Sequence, residues 1–121
     1  GAVYSDLGEK QKALQYYNQA LPIFRTVEDR GGEATVLTGI GGVYSDLGEK
    51  QKALQYYNQA LLIYRTVNDR GEEARTRKNI GAVYSDLGEK QKALQYYNQA
   101  LLLYRAVGNR RGEARTLGNI G

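Results

Sequence analysis

Nineteen residues, VYSDLGEKQKALQYYNQAL, occur three times without a change, at Val3–Leu21, Val43–Leu61 and Val83–Leu101. The offset is 40 residues, so the 121-residue chain holds three periods and one further glycine. A period of this size restricts the chain to a solenoid or a similar array, in which each unit buries its apolar surface against its neighbours and no single central core is needed. The units run 1–40, 41–80 and 81–120 in one array spanning 1–121.

Within a unit the apolar spacing is helical. Leu37, Ile40, Gly41, Tyr44 and Leu47 lie on one face, with spacings of three and four residues among them. Asp69-Arg70-Gly71-Glu72 places an N-cap residue three positions before an acid, so the equivalent helix of the next unit starts there. Gly48 supplies the left-handed residue that ends a helix and turns the chain back. From about Lys50 a second stripe follows through Ala53, Tyr57, Ala60, Tyr64 and Val67. Asn68 and Gly108 stand where this second helix must stop, and both residue types tolerate positive φ. Glu28, at the same place in the first unit, is the poorer choice. Two antiparallel helices of about 16–18 residues per unit follow, which predicts an all-α, right-handed α-solenoid of helix pairs. Gly41 and Gly81 face Ala53/Ala60 and Ala93/Ala100 and permit close helix approach. Pro22 replaces Leu62 and Leu102 in mid-helix and predicts a kink over residues 18–22.

Composition removes several function classes. There is no cysteine, hence no disulfide framework or thiolate metal site, and no histidine, the commonest general base and metal ligand. Ser45-Asp46 therefore lacks the base that a serine nucleophile needs, and the chain is expected to be no enzyme and to carry no cofactor. Asp6, Asp46 and Asp86 stand 40 residues apart, too far to share a metal. No apolar run is long enough to span a bilayer and no basic-then-apolar leader is present, so no membrane partner and a cytoplasmic location are expected. The net charge of +4 builds along the chain: the three units carry −1, +2 and +3, counted from 4, 7 and 6 Lys/Arg against 5, 5 and 3 Asp/Glu. Acidic partners are favoured towards the C-terminal half. The Tyr16-Tyr17 doublets interleave with lysines, yet Tyr17, Tyr57 and Tyr97 fall on the apolar stripe, and Lys10 and Lys12 stand among acids at the turn. Nucleic acid is not an expected partner.

Ile40-Gly41-x-x-Tyr44, then Gly48, then Ala53-x-x-x-Tyr57-x-x-Ala60, three times over, strongly resembles the tetratricopeptide repeat. The period of 40 exceeds that family's usual 34, Arg25, Arg65 and Arg105 replace its proline near the end of the second helix, and Arg77 replaces the apolar residue found at Leu37 and Leu117. The longer period resembles the branch found in Pins/LGN-type adaptors and in cyanobacterial signalling proteins. Near-identical repeats fit either recent duplication or deliberate design. The resemblance implies that the first helices line a concave groove for an extended or helical peptide. By that likeness Asn79 and Asn119, with Arg75 and Arg115 four residues before them, contact the ligand, while Gly39 and Thr35 of the first unit have lost these groups. An amide can pair with both N–H and C=O of a bound backbone, and arginine can grip a carboxylate bidentately. Lys78 lies on the same face, and one turn on stand Ser45, Asp46, Ser85 and Asp86. A different branch clamps C-terminal carboxylates with a lysine three before the glycine and an asparagine just after it. Here Ala2, Gly42 and Ala82 follow the glycine, so that clamp is broken.

The leading expectation is therefore a non-enzymatic scaffold that binds a peptide or protein partner, acidic segments favoured. The alternative is a self-associating or structural array. Gly1–Leu7 and Gly112–Gly121 are complementary halves of one helix, so Val3, Tyr4 and Leu7 of one copy could complete Leu117 and Ile120 of the next, head to tail.

Overall fold

A computed structural model describes residues 2–120, with side chains from Leu7 to Ile120. Among the described residues the regular structure is helical throughout: α1 (Ala2–Thr26), α2 (Arg30–Asp46), α3 (Lys50–Thr66), α4 (Arg70–Asp86), α5 (Lys90–Val107) and α6 (Arg110–Ile120). The caps form where the sequence puts them. The side chains of Asp29, Asp69 and Asn109 accept from the backbone N–H of Gly32, Glu72 and Gly112 at 2.9, 3.2 and 2.9 Å. Each satisfies one of the donors that a helix start leaves without an intrahelical partner. At the other ends Gly48, Gly88 and Gly108 take φ of +83°, +79° and +72°. Asn68 and Glu28 adopt the same left-handed conformation at +60° and +59°, and for Glu28 it is a strained one.

One feature of the first unit departs from the sequence reading. α1 runs from Ala2 through Gly8 to Thr26, where a separate half-helix over 1–7 was expected. A glycine permits the left-handed turn without requiring it, and seven residues gain more by extending an existing helix than by nucleating their own. Pro22 lies inside α1, in the mid-helix place read from the sequence. Its exposed position leaves the ring without a packed neighbour to displace, and its carbonyl accepts from Thr26 Oγ1 at 2.8 Å.

The chain divides into two compact units, residues 1–60 and 61–121. In the first, α2 packs on α1, and a Cβ built on Gly41 would stand 2.9 Å from the Tyr57 ring and 3.3 Å from the Ala53 carbonyl oxygen. In the second, α4 lies along α5 and α6 packs back on α5. The same close approach recurs there: a Cβ on Gly81 would meet the Tyr97 ring at 2.9 Å and Ala93 O at 3.2 Å. The alanine–tyrosine stripe of the second helices is buried at Ala53, Tyr57, Ala60, Tyr64, Ala93, Tyr97, Ala100 and Tyr104, and it ends before Val67, which is exposed. Arg25 and Arg105 do more than extend their helices: they reach Glu33 and Glu113 of the following helix at 3.0 and 2.8 Å.

Candidate functional site

α4 places Arg75, Lys78 and Asn79 at positions i, i+3 and i+4, so all three share one face. α6 places Arg111 and Arg115 four residues apart on its own face. These two faces border a cavity of about 530 Å³ near the first turns of both helices. Buried Tyr104 of α5 lines it, together with the Asn109 cap. Gly112 makes the arrangement possible, since any Cβ there would enter the Tyr104 ring. Thr76 and Thr116, both buried, turn their hydroxyls back to the carbonyls of Glu72 and Gly112 at 2.8 Å and take no part in the cavity wall.

The cations of this cavity differ from three arginines that bridge to a carboxylate elsewhere in the fold. Arg25, Arg77 and Arg105 each hold a carboxylate within 3.0 Å. Arg75, Lys78, Arg111 and Arg115 form no ion pair with any described carboxylate. Burial lowers the Lys78 pKa below the usual lysine value, and the Arg115 and Arg75 charges lower it further. Burial raises the Tyr104 hydroxyl, Arg75 pulls it down, Glu72 raises it, and Arg115 again lowers it. Like charges thus converge on one half-enclosed volume with Glu72 as the acid in its lining. An anion entering it would be attracted by each.

Four of the sequence-derived groove residues, Arg75, Lys78, Asn79 and Arg115, come together here. The others do not join them. Ser85 and Asn119 border a second cavity of about 320 Å³ with Lys90, Leu94 and Tyr97. Ser45 accepts from Lys50 Nζ at its hydroxyl (3.1 Å) and at its carbonyl (2.9 Å), so the pair caps the C-terminal end of α2. Asp46 is the last residue of α2 and is exposed. Asp86 ends α4, and its charge, after burial, raises the Tyr97 hydroxyl. Of the apolar residues expected at a self-contact, Val3 and Tyr4 lie outside the described side chains. Leu7 and Leu117 are exposed and Ile120 is half-buried. Arg111 and Asn109 were not singled out from sequence as groove residues. Arg111 has glycine at both equivalent positions, so only its spacing of four from Arg115 could have marked it.

Short turns and paired helices, with a cavity between successive first helices, define a helix-hairpin repeat array. The tetratricopeptide repeat profile matches residues 1–66 and 32–106, and the chain belongs to that family. Its members bind peptide or protein partners and are generally non-catalytic scaffolds. Among solved structures the chain is similar to the apo form of RapI, with a TM-score of 0.86 at 27% identity over 98% of this chain and 43% of that one. It is similar to BtubC (BKLC) from P. vanneervenii, with a TM-score of 0.81 at 22% identity over 96% of this chain and 48% of that one. It also resembles the TPR domain of Arabidopsis FLU, with a TM-score of 0.75 at 22% identity over 88% of this chain and 89% of that one. The chain thus spans less than half the length of the first two. These likenesses establish the TPR-solenoid fold. Among curated proteins none matches. No helix among the described residues is long and apolar enough to cross a membrane.

Proposed function

We propose that this array binds an acidic protein segment along the α4–α6 cavity. The observation that carries this is the convergence on one half-enclosed volume of four cations, none of which forms an ion pair with a described carboxylate. Asn79 supplies an amide able to hold a bound backbone through both its donor and acceptor, as the Pins/LGN-type likeness suggests. The partner is met through the arginines, whose forked donors suit carboxylates. A fluorescence-anisotropy titration of acidic peptides selected on an array is the test. Arg75→Glu and Arg115→Glu should each weaken binding at least tenfold, and unchanged affinity in both variants sinks the assignment.

A second reading, self-association, is favoured by one comparison. Leu54 and Leu94 are the same residue of the repeat, yet Leu54 is 6% exposed and Leu94 is 42% exposed. Leu94 borders the second cavity beside Tyr97 and Ile120, and nearby Leu117 is also exposed. Residues 3–7 have the same sequence as residues 83–87, so a second copy carries a matching segment. Sedimentation of the 121-residue chain should show mass rising with concentration, lost in Leu94→Asp. A strict monomer at high concentration excludes head-to-tail stacking.

A further inference from the structure

The charge count in the α4–α6 cavity asks for more than one carboxylate. Arg75, Lys78, Arg111 and Arg115 contribute +4 and Glu72 contributes −1, leaving +3. A single aspartate or glutamate of a ligand leaves +2 uncompensated in a half-enclosed space. A phosphate monoester brings about −1.5 to −2 at pH 7, with three acceptor oxygens. We propose that this cavity receives a phosphorylated side chain carried on the bound protein segment. The proposal rests on the peptide-groove assignment above and names the group at its centre.

Geometry separates the two anions. A carboxylate offers two oxygens in one plane, which one arginine fork can satisfy. Here the donors stand on opposing walls, Arg75 and Lys78 on α4 and Arg111 and Arg115 on α6. A tetrahedral group can accept from both walls together. The cavity also lies by the first turns of both helices, bordered by Gly71 and Gly112, where backbone N–H groups and the helix dipole favour an anion. α6 keeps that potential better than its counterparts, because neutral Asn109 caps it where Asp29 and Asp69 cap α2 and α4. Burial first, and then the Arg115 and Arg75 charges, disfavour the Lys78 ammonium, and a dianion offsets that more than a monoanion does. The first repeat has no such cluster: Gly31, Thr35 and Thr38 stand where Arg111, Arg115 and Lys78 have their equivalents.

Three fluorescein-labelled decapeptides decide the matter, sharing an acidic and glycine-rich frame with a single central serine, phosphoserine or glutamate. The phosphoserine peptide should bind at least tenfold more tightly than the serine peptide and several-fold more tightly than the glutamate one. Arg75→Gln, Arg115→Gln and Lys78→Gln should each shrink the phosphate increment, whereas Lys52→Gln, outside the cavity, should leave it intact. Far-UV circular dichroism checks that each variant is folded, and the exposure of Arg75 and Arg115 makes that expected. Equal affinity for phosphoserine and glutamate peptides overturns the phosphate inference while leaving the acidic-segment groove standing. Peptide binding that is unchanged in both the Arg75 and the Arg115 variant overturns the groove itself. Inorganic phosphate competing as strongly as the phosphopeptide excludes the protein segment as the carrier.

Discussion

The same substitution should have opposite signs at two glycines of the second unit. Gly81 and Gly118 both lie inside α-helices, α4 and α6. Alanine in a helix interior is favoured over glycine by about 0.5–1 kcal/mol, because glycine loses more backbone freedom on folding. At Gly118 an added Cβ meets nothing within 4 Å, so Gly118→Ala should stabilise by about that amount. At Gly81 the added methyl would stand 2.9 Å from two atoms of the Tyr97 ring and 3.2 Å from the backbone oxygen of Ala93. Neither neighbour can yield cheaply. Tyr97 is 4% exposed and walled in, and the carbonyl belongs to α5 itself. Overpacking of this kind costs about 1–3 kcal/mol, which exceeds the helix gain and leaves a net loss of about 1–2 kcal/mol for Gly81→Ala. Urea unfolding followed by far-UV circular dichroism reads both variants, with the midpoint moving down for Gly81→Ala and up for Gly118→Ala. If Gly81→Ala is as stable as the parent, the α4–α5 contact is looser than these distances, and the close-approach account of Gly41 and Gly81 fails with it.

Three further substitutions have defined outcomes. Glu28 holds a left-handed conformation at φ +59° and sets a negative charge at the C-terminal end of α1, so Glu28→Asn should stabilise by about 1 kcal/mol in the same urea assay. Arg77, where the other repeats have Leu37 and Leu117, bonds Glu73 through Nη2 at 3.0 Å and also donates to Gln99. Arg65 has the repeat position from which Arg25 and Arg105 reach Glu33 and Glu113, so Arg77→Leu should hand Glu73 to Arg65 and cost less than about 1 kcal/mol, whereas Arg77→Leu with Arg65→Ala should cost about 3 kcal/mol by leaving the carboxylate unpaired. Lys78 has a folded pKa below its unfolded value of 10.5, so the unfolded chain binds the extra proton between those values and stability rises with pH across that window. Lys78→Gln should therefore be more stable than the parent at neutral pH, with the difference shrinking as pH climbs through the lowered pKa towards 10.5; a difference that grows instead refutes the repulsion at this site.

How far the sequence could be read depended on whether the deciding contact lay within one helix period or across two helices. The helix start at Asp69 and the stops at Asn68 and Gly108 are local chemistry and formed as expected, and Asp29 and Asn109 cap in the same way as Asp69. The buried alanine–tyrosine stripe followed from a 3.6-residue period alone. The separate half-helix over residues 1–7 did not form because the glycine that follows it allows two conformations and the surroundings select one. Contacts between helices were less legible. Tyr44 stacks on Tyr56 and Tyr84 on Tyr96 with ring centroids 5.6 Å apart, and Lys52 and Lys92 lie over the first ring of each pair. Their spacing runs across a helix turn and matches no single-helix pattern. In the candidate site, family likeness identified Arg75, Asn79 and Arg115 together, but it also drew in Ser85 and Asn119, which border a different cavity. Arg111 was invisible because nothing in the other repeats corresponds to it.

The two cavities divide the sequence in a way that bears on what each is for. Every residue lining the α4–α6 cavity lies outside the invariant nineteen-residue block, among positions where the repeats differ. Five of the seven lining the second cavity, Ser85, Lys90, Ala93, Leu94 and Tyr97, lie inside it. Stacking of like repeats requires each unit to present the same face, so residues committed to stacking are held identical. A face released from that requirement is free to specialise. The first unit shows the limit of that freedom, since Gly39 stands where Asn79 does in the second. A Cβ at Gly39 would lie 2.6 Å from Tyr17 Cζ, so the amide of the candidate site cannot be placed there unless the tip of that ring moves aside. Differences between the repeats therefore concentrate the cationic groove in the second and third, and the surface most able to meet a foreign partner is the one that the repetition does not constrain.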